Sequence, residues 1–186
     1  TLDRFFEQWI YRPGHPKLKV DWSWQGKEKQ VKLSVKQTQK MEEGAQPFFF
    51  SLQVRIATEK GTFDKTVNVD QKEETFFIEC EDEPKSVDVN PELTQLIELD
   101  FKKSKEMLIY EAEHGESVIT RVRALRQLAG KDERDCVEVL AGCGVEAYAV
   151  AGNMDRRPEE LAQRARQLGV HFSLDTILVP IGEGDY

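Results

Sequence analysis

The amino-acid sequence predicts a mainly β chain with a helical C-terminal part: an antiparallel β-sandwich, then α-helices, with a β-α-β pattern in the tail. Three observations carry this. Apolar and polar residues alternate from Leu18 to about Leu99, the period-two signature of half-buried antiparallel strands. Turn residues punctuate that region about every eight to twelve positions, as in a sandwich, although a closed barrel fits the same pattern. From Ser104 the apolar spacing lengthens to that of a helix.

Taken in order, Thr1 to Ile10 carries Leu2, Phe5, Phe6, Trp9 and Ile10 at helical spacing. Pro13 and Pro16 stop that helix, because proline lacks an amide donor and restricts its predecessor. Two strands follow, with Leu18, Val20, Trp22 and Trp24 on one side, then Val31, Leu33 and Val35; Gly26 and its charged neighbours make the turn. A polar loop leads to a third strand in which Phe48, Phe50, Leu52, Val54 and Ile56 alternate with Phe49, Ser51, Gln53 and Arg55. Lys60-Gly61 marks a hairpin into a fourth strand with Phe63, Val67 and Val69 inward. Further strands are expected over Thr75 to Cys80 and Lys85 to Val89, and Asn90-Pro91 ends the last of them. Ser104 is a fitting N-cap for a helix over Lys105 to Glu113, and Gly115 a fitting stop. Val118, Val122, Leu125 and Ala129 predict the apolar stripe of a second helix, and Asp132 caps a third through Leu140. Val145 to Ala151 and Val170 to Val179 read as strands around a helix that Pro158 opens.

The chain has 186 residues, 39% hydrophobic and 32% charged, an ordinary globular composition. Its formal charge of −8 disfavours nucleic acid as a partner. No apolar run reaches the roughly 20 residues that span a bilayer, and no secretory signal opens the chain. Cys80, Cys136 and Cys143 are too few for a disulfide framework and fit a reducing, cytoplasmic compartment, each as a small buried apolar residue. The chain opens at Thr1 inside a helix-like run without an initiator methionine, which suggests an excised piece or a processed chain.

No catalytic constellation stands out. His15 lies in a turn, His114 closes a helix where its charge suits the dipole, and His171 falls on a strand. Zinc-binding HExxH, Cys-x-x-Cys pairs, glycine-rich phosphate loops and Gly-x-Ser-x-Gly are all missing. Trp22, Trp24 and Phe48 to Phe50 read as core rather than as an aromatic binding surface. Lys32, Lys36 and Lys40 form a solvated face. Arg121, Arg123 and Arg126 do not share a helical face. Glu42-Glu43 and Glu73-Glu74 read as exposed turn carboxylates. Gly152-Asn153-Met154-Asp155 follows an apolar strand, and Asn153 is the candidate metal ligand there, although Gly-Asn is first of all a turn.

Residues 2–130 resemble zinc aminopeptidases of the aminopeptidase N type. The resemblance is carried by Phe5-Phe6-Glu7-Gln8-Trp9, Tyr11-Arg12-Pro13-Gly14-His15-Pro16, Val35-Lys36-Gln37-Thr38-Gln39, Val67-Asn68-Val69-Asp70 and Leu99-Asp100-Phe101-Lys102-Lys103-Ser104. It implies the end of a catalytic domain over 1–12, a β-sandwich domain over 13–103 and the start of a HEAT-like helical domain over 104–142, with 143–186 an unassigned tail. It also implies that zinc and the catalytic residues lie upstream in the parent enzyme, where zinc-bound water would hydrolyse the peptide. This chain would then hold no cofactor and cleave nothing, and its partners would be the flanking domains, with no nucleic acid or membrane. The rival expectation is an interaction scaffold, since aminopeptidase-like folds also occur in a transcription-initiation subunit without peptidase chemistry. Residues 145–168 resemble calcineurin-like metallophosphoesterases, whose Gly-Asn motif contributes a metal ligand at the position of Asn153. That family's upstream Asp-x-His and Gly-Asp motifs do not appear.

Overall fold

Period-two strands bury one face against a core, and seven strands share one here. The computed structural model describes residues 2–40 and 46–129, together with Val139, Gln163, Gln167 and two short strands near the C-terminus. The chain divides into two units, Thr1–Met107 and Leu108–Tyr186.

In the first unit, β1 (Lys17–Gln25) pairs antiparallel with β2 (Gln30–Gln37), and β2 with β5 (Glu73–Glu79). The facing sheet is built on β3 (Phe50–Thr58), flanked antiparallel by β4 (Gly61–Val69) and β6 (Ser86–Val89). Leu18, Val20, Val31, Leu33, Val35 and Ile78 of one sheet share a core with Phe50, Leu52, Val54, Ile56, Val87 and Val89 of the other. Each such side chain contributes about 1.5–3 kcal/mol by leaving water. This is the sandwich that the alternation predicts. Trp22, Trp24, Phe63 and Val67 sit at its margin, only half-buried, and Phe49 faces outward, so the expected aromatic core is confined to Phe48 and Phe50.

One strand departs from the antiparallel expectation. β7 (Glu98–Phe101) crosses over from the other sheet and lies parallel to β1, pairing Lys17 with Glu98 and Val20 with Phe101, which gives the order β5-β2-β1-β7. Four residues of alternation reveal a strand's faces but not its direction. Glu73 and Glu74 begin β5 rather than occupying a turn. Glu73 pairs across the strands with Lys36 at 2.8 Å, and Glu74 accepts hydrogen bonds from the Asp70 and Gln71 amides.

The N-terminal helix is shorter than its apolar spacing suggests. α1 (Leu2–Phe6) passes into a π-helical turn (Glu7–Tyr11), closed by the Arg12 amide donating to Glu7 O at 3.0 Å. The chain bends at Gly14. Gly14 has φ 88°, a left-handed value that glycine adopts without steric cost.

α2 (Lys105–His114) starts where Ser104 Oγ accepts the Met107 amide at 3.2 Å, the expected cap. It ends where the Gly115 amide donates to Glu111 O; a Cβ at position 115 would collide with that oxygen. α3 (Val118–Ala129) buries a different face from the predicted one. Thr120, Ala124 and Leu128 are inside with Leu108 and Ala112, whereas Val118 is 65% exposed, Val122 and Ala129 face outward and Leu125 is half-buried. Small residues at 112, 120 and 124 suit close helix packing, which the larger apolar stripe conceals in sequence. Ser117 caps α3, its Oγ accepting the Thr120 amide at 3.1 Å.

In the tail, β8 (Tyr148–Val150) pairs parallel with β9 (His171–Ser173), and Gln163 and Gln167 between them are helical, as in a β-α-β unit. Asp132, Cys136, Cys143, Asn153, Pro158 and Glu42-Glu43 lie outside the described residues. No helix among the described residues is long and apolar enough to cross a membrane.

Candidate functional site

The most elaborate polar construction in the sandwich joins the N-terminal arm, residues 2–12, to the lead-in of β3. Gln8 Nε2 donates to Phe49 O, and the Phe49 amide donates to Gln8 Oε1, both at 2.7 Å. Arg12 donates from NH1 to Gln46 O at 2.6 Å, with its guanidinium 4.0 Å from the centre of the Phe48 ring. Trp9 leans on Phe48 and Phe50, with ring centres 5.6 and 6.5 Å apart. On the inner side the buried Gln37 does the same for Phe48. Its Nε2 donates to Phe48 O at 2.8 Å and to Gln71 O at 3.1 Å, and its Oε1 accepts the Phe48 amide at 2.9 Å. Beside the arm an open cleft of about 610 Å³ is lined by Glu7, Gln8, Tyr11, Arg12, Gln46 and Pro47. It offers one carboxylate and a guanidinium already engaged, with no nucleophile–base pair.

Several other described charged groups are paired for structure. Asp88 and Lys103, each 3% exposed, meet at 2.7 Å. Arg55 bridges Asp64 at 2.8 Å and Glu92 at 2.7 Å. Its hydrogen bonds hold the Asp64 carboxyl below the usual carboxylate range, and those same partners raise the guanidinium further. Because Asp64's folded pKa is lowered, the pair stabilises the fold above the ordinary carboxylate pKa of about 4 and is lost as pH falls through the lowered value. Acid unfolding followed by tryptophan fluorescence should therefore show a shallower loss of stability below pH ~4 in Arg55→Met than in the native chain; equal slopes would remove this pair from the account.

His15 lies in the irregular segment between the arm and β1 and has a spatial neighbour that the sequence did not reveal. Its Nε2 lies 3.6 Å from Glu98 Oε2, which also receives Lys17 Nζ at 2.6 Å. That ammonium lowers the Glu98 pKa. His114 is in the last turn of α2, with its ring 4.8 Å from that of Tyr110. Cys80 is a buried free thiol whose Sγ–H donates to Asp82 O, and burial pushes its pKa up. Among the described residues no group of three or more His, Cys, Asp or Glu could hold a metal ion. The donor set that a zinc site demands is therefore not met there.

A seven-stranded, two-sheet sandwich with paired charges has the build of an immunoglobulin-like domain. Residues 13–113 match the family model described as the TAF2 Ig-like domain. The chain belongs to that family. The chain also resembles a solved structure, the crystal structure of Legionella pneumophila aminopeptidase A in complex with aspartic acid, with a TM-score of 0.61 at 18% identity. That match covers 75% of this chain and 18% of the aminopeptidase chain, and at this identity it shows a common fold alone. No curated protein matches the chain. The expected aminopeptidase-type sandwich is thus supported in fold, while the family match falls to a different family. The Ig-like domain's determinants at Gln8, Gln37 and the Asp88–Lys103 pair were not singled out from sequence. Gln8 and Gln37 lay inside the quoted motifs, but nothing in their spacing gave their partners.

Proposed function

We propose that this Ig-like domain is a noncatalytic spacer in a larger protein, holding a helical region in register with an aminopeptidase-like domain, and that the parent is an interaction scaffold of the transcription-initiation kind. The observation that carries the scaffold reading is the match of residues 13–113 to a family described by TAF2 and not by a peptidase. The site chemistry agrees: the most buried charges, Asp88 with Lys103 and Arg55 with Asp64, are paired with each other, and the described lining of the cleft beside the arm lacks a nucleophile–base pair. A second reading, in which the parent is a zinc aminopeptidase, is favoured by the structural likeness to the Legionella enzyme. In that second reading zinc would belong to the preceding domain.

Incubating the chain with amino-acid nitroanilides, with and without added zinc, is expected to give no turnover above the metal-free blank. Zinc-dependent turnover would sink the spacer reading. The purified parent separates the two readings of the whole protein. A zinc-free, inactive parent is expected for a scaffold, and stoichiometric zinc with turnover would overturn the scaffold while leaving the spacer in place.

A further inference from the structure

The lead-in to β3 is gripped from both sides by glutamine side chains. A glutamine amide carries one donor and one acceptor in the same arrangement as a peptide group, so it stands in for a neighbouring strand. Gln37 takes both backbone groups of Phe48 from the core side, and Gln8 takes both of Phe49 from the arm side. Either glutamine can keep both bonds only in a narrow range of positions, since N–H···O geometry weakens steeply away from linearity. Residues 8, 9 and 12 fall on one side of the arm, so the Gln8 pair, the Trp9 rings and the Arg12–Gln46 bond act together over five residues. A flexible linker would have no such set of anchors.

We propose that Gln8, seated on the Phe49 backbone and backed by Arg12 and Trp9, locks residues 2–12 as a rigid strut of the sandwich, so that orientation passes through the arm to any domain attached by it. This rests on the spacer reading and gives it a mechanical part: the arm sets an angle as well as a distance. Gln8 is a positioning residue in this role.

The test is nuclear magnetic resonance on the full chain, native and Gln8→Ala. In the native chain, arm residual dipolar couplings should fit the alignment tensor of the sandwich, and the Phe49 and Arg12 amides should be protected from hydrogen exchange. In Gln8→Ala the arm couplings should collapse toward averaged values, and exchange at those two amides should speed by about tenfold or more, while β2 and β3 keep their protection. Gln8→Glu keeps the acceptor for Phe49 N–H and loses the donor, and should fall between the two. Native arm couplings that do not fit the tensor would overturn the strut, as would a Gln8→Ala arm indistinguishable from native. Neither result would bear on the absence of turnover, so failure of the strut and failure of the spacer reading remain distinct.

Discussion

Replacing Lys103 by methionine should cost the sandwich about 3–5 kcal/mol. Lys103 and Asp88 are each 3% exposed and meet at 2.7 Å. Asp88 Oδ1 also accepts the Val89 amide at 3.0 Å, and the ammonium lies 5.4 Å from the centre of the Phe101 ring. Removing the ammonium takes a charge-assisted hydrogen bond from a carboxylate that is itself buried, and that buried charge accounts for most of the loss. The double variant Asp88→Leu, Lys103→Met should recover part of it, because the carboxylate is removed together with the ammonium that faces it. Urea unfolding followed by tryptophan emission reads this cleanly, since Trp9, Trp22 and Trp24 all lie within residues 1–107. A single variant costing under about 1 kcal/mol would mean the pair behaves as a surface salt bridge.

Phe48→Ala should cost a similar amount, about 3–5 kcal/mol, the range for a large aromatic deleted from a packed core. Phe48 is 1% exposed and lies against Trp9 and Arg12, so its loss leaves a cavity that two arm residues border. Phe77→Ala is the matched control. That ring is 56% exposed, and its removal should stay within about 0.5 kcal/mol. Equal costs at the two positions in the same urea titration would contradict the assignment of the core.

The two positions show what the sequence could and could not disclose. Phe48 belongs to an alternation that runs on through Ile56, and a period of two states directly which residues share a face. Asp88 obeys the same alternation between Val87 and Val89 and so reads as outward, yet all four residues of β6 are buried. Its second face is met by Lys103, fifteen residues on, and alternation says nothing about what later covers a face. The direction of β7 was hidden for the same reason: pairing partners are properties of the folded chain. α3 misled differently. Val118 and Val122 make a persuasive stripe, but Ala124 and Thr120, small enough for a neighbouring helix to approach, are the residues inside. At the candidate site, Gln8 and Gln37 read as ordinary polar positions, because a side-chain amide that replaces a strand leaves no periodic trace.

The central claim is that residues 13–103 form a sandwich that holds its neighbours and has no reactive centre. Titrating zinc into the isotopically labelled full chain, and following the amides of that region, tests it most directly. The account predicts that those amides stay where they are at stoichiometric zinc. Saturable one-to-one shifts clustered on side chains of the two sheets would contradict it.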